Sequence, residues 1–433
     1  MSDVTLAVLG ILFMFVLMML RMPVGFAMFF AGFVGFSLVV SPRAAYSILS
    51  TDIWQGFSSY SLAVIPMFVF MGQIAFRTGV TEKLYEAAYK WVGHLKGGMA
   101  ATTIAASTAF AAICGSNVAT TATMGTIALP EMKKYNYSTI LSTGSVAAGG
   151  TLGVVIPPSV VLIIIALQTE QSIIRLFVAN IIPGLLLSAL FLLTVFLVCL
   201  KYPHLGPEGP RSPFNEKIKS LGGVIEPLVL FFLVIGGLYA GWFTPTEAGA
   251  AGSFGALVIA LIQRKLKWRN FSLAILDTLR ISTMVMILVG GAVAFGRFLT
   301  VTRLPYVLAG WAVELPVPPL AILLVIMLIY IIGGAVMDAL GFLTLSIPIF
   351  FPLAMALGYD PIWYTVVICI ITTMGAITPP VGVSAFIVKG LVPEVPIEDI
   401  FKGVGLFIAA YLLCILLLII FPQIAMFLPR LLF

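Results

Sequence analysis

Apolar runs of about 20 residues, each with at most one charged residue, recur along this chain. A helix of that length, at 1.5 Å per residue, spans the roughly 30 Å hydrocarbon core of a bilayer. The runs lie near 4–20, 23–40, 61–76, 138–167, 178–200, 222–241, 247–262, 281–298, 362–387 and 404–428. Only 9% of the 433 residues are charged, against about 25% in soluble domains, so the chain cannot wet a surface on every side. In lipid, backbone polar groups must be satisfied internally, which leaves helices or a closed barrel. Barrel strands alternate apolar and polar residues over about ten positions, whereas these runs are continuous. The expected fold class is therefore an all-α polytopic membrane protein with about ten spanning helices. The first run has no basic segment before it and no small-residue cleavage site after it, and is read as a retained helix.

Two further stretches, 97–130 and 317–352, are long enough to enter the membrane and turn back. Each carries small or polar residues halfway, Cys114-Gly-Ser-Asn in one and Gly333-Gly-Ala-Val-Met-Asp in the other. They are expected to be re-entrant hairpins, whose broken backbone survives only where protein or a water-filled cavity shields it. With both as hairpins, loops 77–96, 131–137, 201–221, 263–280 and 388–403 share one side with Arg21. That side holds eighteen of the 23 lysines and arginines. Arg43, Arg175, Arg297, Arg303 and Arg430 fall on the other. The bias marks the richer side as cytoplasmic and places both termini outside. The net charge of +6 is thus a topology signal, since no soluble basic domain exists to bind nucleic acid. All six tryptophans (Trp54, Trp91, Trp242, Trp268, Trp311, Trp363) fall near run ends, as an aromatic belt requires.

The chain also repeats itself. Gly153-Val-Val-Ile-Pro-Pro-Ser matches Gly375-Ala-Ile-Thr-Pro-Pro-Val at an offset of 222, which also pairs Pro130 with Pro352, Tyr137 with Tyr359 and Ser116 with Asp338. Upstream the offset slips to 220, pairing Arg77 with Arg297 and Trp91 with Trp311. The expected organisation is N-terminal scaffold helices over 1–60, a first repeat over 61–200, a linker with scaffold helices over 201–280, and a second repeat over 281–433. Each repeat runs span, arm, hairpin, short loop, and Pro-Pro-broken span (138–167 or 362–387). By the charge count the first hairpin opens to the cytoplasm and the second to the outside, so the repeats are inverted. Proline removes a donor and clashes with the preceding turn, so each Gly-x-x-x-Pro-Pro is expected to unwind its helix and free carbonyls in mid-membrane. Paired inverted repeats with broken helices are a recurrent plan of secondary transporters, with ion and substrate sites at the repeat interface.

Asp338 is the one carboxylate inside a predicted hairpin, and an ionisable group at that depth points to function; a second possible role is accepting hydrogen bonds to close the tip. Ser116 and Asn117 at the opposing tip offer hard oxygens suited to Na+, or equally close their own tip. Thr103, Ser107, Thr120, Thr121 and Thr123 fit close helix packing, while Thr372, Thr373 and Thr378 flank the second break. Thr81–Gly93 alternates charged and apolar positions at helical spacing and is expected to lie along the cytoplasmic interface. Arg297 and Arg303, its outer counterparts, are read as guiding an anion, meeting a partner protein or anchoring to headgroups. The four cysteines lack CxxC spacing and are read as packed apolar side chains. Nothing supports an enzyme: His94 and His204 have no metal-site spacing, and Asp338 has no second intramembrane aspartate. A passive channel has no need of two inverted hairpins with broken partners.

Taken together, these motifs resemble the large membrane subunit of tripartite ATP-independent periplasmic (TRAP) transporters, over nearly the whole chain. The carriers are Ile65-Pro-Met, Cys114-Gly-Ser-Asn-Val-Ala-Thr-Thr-Ala-Thr-Met-Gly, Gly150-Thr-Leu-Gly-Val-Val-Ile-Pro-Pro-Ser, Phe243-Thr-Pro-Thr-Glu-Ala, Met337-Asp338 and Thr378-Pro-Pro-Val-Gly. The resemblance implies a scaffold and a sliding transport domain (an elevator), driven by Na+ at about two sites. It also implies a small four-helix membrane subunit, a periplasmic substrate-binding protein, an inner-membrane location and an organic anion substrate of the C4-dicarboxylate or sialic acid type. Carried over by motif, one Na+ site would use Cys114, Ser116 and Asn117 with Gly153, Ile156 and Pro158. The second would use Gly334, Met337 and Asp338 with Thr373, Gly375, Thr378 and Pro380. Substrate contacts would come from Ser116, Asn117, Thr151, Asp338, Thr372 and Thr373. Thr372-Thr373-Met stands where many relatives carry an acidic residue, which leaves the substrate class open. The alternative is a stand-alone ion-coupled carrier of the same fold that needs no binding protein.

Overall fold

Each expected hairpin is a pair of helices joined by a two-residue turn in the computed structural model, which describes residues 2–433. The first consists of Gly98–Cys114 and Asn117–Lys134. Its turn works because Gly115 adopts the left-handed region (φ 65°), and Ser116 then runs extended and caps the returning arm by accepting the Ala119 N–H at 3.4 Å. The second consists of Pro319–Val336 and Ala339–Ala356. Here Asp338 is the cap, accepting the Leu340 N–H at 3.1 Å. Ser116 and Asp338, matched by the sequence offset, therefore do the same local job.

Both Pro-Pro segments interrupt their helices. The first broken helix is Thr139–Val155 and Val160–Gln168, bent by 41°; the second is Pro361–Gly375 and Val383–Leu391. Pro157 and Pro158 have no N–H, so the Gly153 and Val154 carbonyls lose their helical donors; Pro379 and Pro380 do the same to Gly375 and Ala376, whose carbonyls instead accept the Thr378 N–H at 2.8 Å and the Ser384 N–H at 3.0 Å. The Pro157–Pro158 and Pro379–Pro380 bonds are both cis.

Among the described residues, eight helices are long and apolar enough to cross a membrane, nine with the first broken pair counted as one span. Both arms of the second hairpin are among the eight, so length alone would let them cross. They are nonetheless a hairpin whose turn meets the middle of a broken helix, as described below.

Several boundaries differ from the sequence-based expectation. The 281–298 run is part of a 34-residue helix, Trp268–Val301, so most of the expected loop 263–280 is helical. The last run stops at Ile420, and Gln423–Leu432 forms a separate amphipathic helix after Phe421-Pro422. The 222–241 run contains a π-helical turn at Phe232–Gly236. Pro42–Phe57 is a helix that no apolar run announced, because only Ala45 and Leu49 on it are buried. Trp363 is no belt residue: it is buried, and its indole N–H donates to the Leu418 carbonyl at 2.9 Å. The four cysteines are free and buried.

Arg297 is also not free to guide an anion. Its guanidinium forks onto Asp52 at 2.6 and 3.1 Å, while Arg77 pairs with Asp277. The pairs are reciprocal. Arg77 and Arg297 already correspond at the upstream offset of 220, Asp52 and Asp277 are separated by 225, and each arginine meets the other's aspartate. In space, helices Pro42–Phe57 and Val64–Arg77 are thus both tied by ion pairs to the single long helix Trp268–Val301.

Candidate functional site

Each hairpin turn is seated on the break of its partner helix. The Val160 N–H donates to the Gly115 carbonyl at 3.4 Å, and the Gly382 N–H to the Ala335 carbonyl at 2.8 Å. The two donors correspond at the same offset as the Pro-Pro motifs, while the acceptors are displaced by two residues, Gly115 in its turn and Ala335 in the last turn of its helix, so the repeats make similar clasps. Close approach requires glycine beneath each turn. A Cβ on Gly153 would lie 2.5 Å from Thr120 Oγ1 and 2.8 Å from the Ser116 carbonyl carbon; one on Gly375 would lie 2.7 Å from the Gly334 carbonyl carbon.

The two turns also meet each other around a cavity of about 230 Å³. One wall is Cys114, Ser116, Asn117, Val160, Asp338 and Leu340; the other is Gly72 and Gln73 of helix Val64–Arg77 with Met284 and Val285 of Trp268–Val301. Asn117 faces Asp338 across it. Asn117 Oδ1 accepts the Val118 N–H at 2.8 Å, which leaves its amide nitrogen as an unpaired donor. Asp338 Oδ2 caps its helix, and Oδ1 makes no hydrogen bond although the Asn117 amide stands beside the carboxylate. Ser159 Oγ and Ser384 Oγ, at the starts of the two downstream half-helices, are buried without partners as well. An unsatisfied buried polar atom costs about 1–3 kcal/mol; of these four residues, Asn117 and Asp338 line the cavity itself, so its two unpaired atoms are a donor and an acceptor open to a ligand. Three helices, Asn117–Lys134, Val160–Gln168 and Ala339–Ala356, begin at the cavity and bring their positive ends to it.

A wider apolar cleft of about 1100 Å³ reaches the same place from the side of Met22 and Arg280. Met284, Asp338 and Leu340 line both spaces.

The sequence-derived residues fall around these two seats. Cys114, Ser116, Asn117, Gly153, Ile156 and Pro158 surround the first break, which is buried throughout. Gly334, Met337, Asp338, Thr373, Gly375, Thr378 and Pro380 surround the second, where Pro379 and Pro380 are exposed. Thr151, Thr372 and Thr373 do not face the cavity. Each is fully buried, with its hydroxyl donating to its own helix, to Ala148 at 2.6 Å, Ile368 at 2.6 Å and Ile370 at 2.7 Å. Thr378 likewise donates to the Met374 carbonyl at 2.7 Å. Sequence reasoning missed Gln73, Ser159 and Ser384. Gln73 is the one amide in the 61–76 run, and Ser159 directly follows Pro-Pro, so both were available as signals. Among the described residues no three His, Cys, Asp or Glu side chains cluster, so any cation held here would be held by carbonyl, amide and hydroxyl oxygens and by Asp338.

Paired hairpins seated on paired broken helices, in a chain of membrane-crossing length, define a secondary-transporter fold. The YdaH transporter of Alcanivorax borkumensis has a similar fold (TM-score 0.61, 16% identity, 88% of each chain covered). Within that class the chain belongs to the family described as "Tripartite ATP-independent periplasmic transporter, DctM component", matched over residues 11–424. It is 32% identical to the C4-dicarboxylate TRAP transporter large permease protein of Pseudomonas aeruginosa, covering 91% of each chain. It is 29% identical to the sialic acid TRAP large permease of Vibrio cholerae, covering 95% of each. It is 32% identical to the isethionate TRAP permease protein DctMQ of Oleidesulfovibrio alaskensis, covering 85% of this chain and 58% of that one. The chain is therefore a multi-pass transporter permease and not an enzyme.

Proposed function

We propose that this chain carries out Na+-coupled uptake of a small organic anion across a bacterial inner membrane by an elevator mechanism. The observation that carries this is the cavity where both turns, the first break and three positive helix ends converge on the unpaired atoms of Asn117 and Asp338. Helix N-termini favour a carboxylate, while carbonyls left without helical donors at the first break and the Asp338 carboxylate favour Na+. We assign one Na+ to each tip-and-break seat. Around Gly115 the oxygens come from the Ser116 turn and the Gly153–Pro158 break; around Ala335 they come from Asp338 and the Gly375–Pro380 break. The hairpins and broken helices form the moving body, and Val64–Arg77 with Trp268–Val301 form the fixed wall of the cavity. The wide cleft beside Met22 and Arg280 lies on the side with the larger share of positive charge, which corresponds to a conformation open to the cytoplasm, with both termini periplasmic.

Relatives named for C4-dicarboxylate, sialic acid and isethionate support an anionic substrate, and the longer DctMQ relative supports a second membrane component. We infer a small membrane subunit that completes the scaffold and a periplasmic binding protein that delivers substrate. The test is uptake of labelled organic acids into liposomes holding this chain and its small partner. Uptake is expected only with an inward Na+ gradient and the cognate binding protein. Equal uptake with K+ in place of Na+ would remove the coupling, and uptake by this chain alone would point to a stand-alone carrier.

A further inference from the structure

We propose that Tyr411 is a positioning residue that locks the two broken helices in one register, so that the two tip-and-break seats respond to ions together. Tyr411 lies on helix Ile397–Ile420 and is wholly buried. Its hydroxyl is 2.5 Å from Thr151 Oγ1 on the first broken helix and 3.3 Å from Thr373 Oγ1 on the second. Thr151 and Thr373 correspond at the offset of the Pro-Pro motifs, so they are the same position in the two repeats.

The hydrogen-bond bookkeeping makes the contact directional. Thr151 gives its hydroxyl proton to the Ala148 carbonyl and Thr373 gives its own to Ile370. Both therefore present lone pairs to Tyr411, whose single proton serves one threonine at a time. In this conformation the shorter distance gives it to Thr151.

Each threonine is two positions before the glycine under its hairpin turn, Gly153 or Gly375. Side chains two positions apart on an α-helix point to nearly opposite faces, so the glycine faces the turn while the threonine faces Tyr411. A shift of one broken helix toward its turn therefore moves the threonine that Tyr411 holds. The tyrosine has little room to yield. Its helix meets the first broken helix backbone to backbone at Gly144 and Gly403, and Phe191 packs edge-on against its ring at 5.2 Å.

This inference rests on the two-ion reading above, and the experiment separates the two. Na+ titrations of uptake, and of Na+-induced thermal stabilisation, are made on the full chain with its small partner, unmodified and as Tyr411→Phe. The unmodified protein is expected to respond steeply, with a Hill coefficient above 1. Tyr411→Phe removes only the hydroxyl, and should bring that coefficient to about 1 and raise the half-saturating Na+ three- to tenfold. Maximal uptake at saturating Na+ should change less than twofold. Adding Thr151→Val to Tyr411→Phe should change the titration no further. An unaltered Na+ titration in Tyr411→Phe overturns the proposal, as does a lower maximal rate with unchanged Na+ dependence, which is the mark of a merely structural contact. A flat Na+ response in the unmodified protein overturns the ion sites themselves. Should Tyr411→Phe fail to reach the membrane, Thr151→Val and Thr373→Val leave the ring in place and make the same comparison.

Discussion

Gly375→Ala is expected to cut uptake at least tenfold while the protein still inserts in the membrane. The added methyl would stand 2.7 Å from the Gly334 carbonyl carbon and 2.8 Å from the Ala335 nitrogen. Both are backbone atoms, so no side-chain rotation relieves the clash, and the second hairpin must lift from its break. Overpacking of this kind costs about 1–3 kcal/mol. That is small against the stability of a protein of many helices, but it falls on the one clasp, Gly382 N–H to Ala335 carbonyl, that fixes the turn. Gly153→Ala should behave alike, because its methyl would meet Ser116 and Thr120. Gly405→Ala is the control, since a Cβ there meets nothing within 4 Å. Uptake per inserted molecule is the measurement; wild-type rates for both Gly153→Ala and Gly375→Ala would show that the seats are not part of transport.

Asp338→Asn is expected to abolish the Na+ dependence of uptake while leaving the fold intact. Asn is about as good an N-cap as Asp, so the bond to the Leu340 N–H survives and only the charge and one acceptor are lost. Asp338→Ala loses the cap as well and should cost about 1 kcal/mol more in stability. The pair separates the two roles that the sequence left open for this residue. One carboxylate oxygen closes the tip, and the other, which has no partner, is available to an ion or substrate. A Na+ titration of Asp338→Asn that overlays the unmodified protein would remove Asp338 from the site.

The elements that rest on backbone chemistry were legible in advance. Pro-Pro deletes donors wherever it occurs, and Gly-Ser and Met-Asp stand at matched positions halfway along two apolar stretches, so both hairpins and both breaks fell where spacing put them. What the sequence concealed was set by tertiary packing. Thr151, Thr372 and Thr373 are chemically suited to a polar site, yet they turn their hydroxyls onto their own helices and away from the cavity. Arg297 looked like a free surface cation because its partner, Asp52, lies far away in the sequence, on a helix with only Ala45 and Leu49 buried to betray it. Trp363 sits at the end of an apolar run but points inward to Leu418. Tyr411 gave no sign at all, being one of three aromatic residues, with Phe401 and Phe407, in an apolar helix. Its meaning depends on two threonines that only the folded repeats bring together.

If the two hairpins enter the membrane from opposite faces, their outer ends are accessible from opposite sides. Lys134, at the open end of the first hairpin, and Val317, beside the open end of the second, are both exposed, and the four native cysteines are buried. Lys134→Cys and Val317→Cys can therefore each be labelled with a membrane-impermeant thiol reagent in right-side-out and inverted vesicles. Labelling of position 134 only in inverted vesicles and of position 317 only in right-side-out ones is the expected result. Labelling of both from the same face would contradict the inverted pair on which ion and substrate binding at mid-membrane depends.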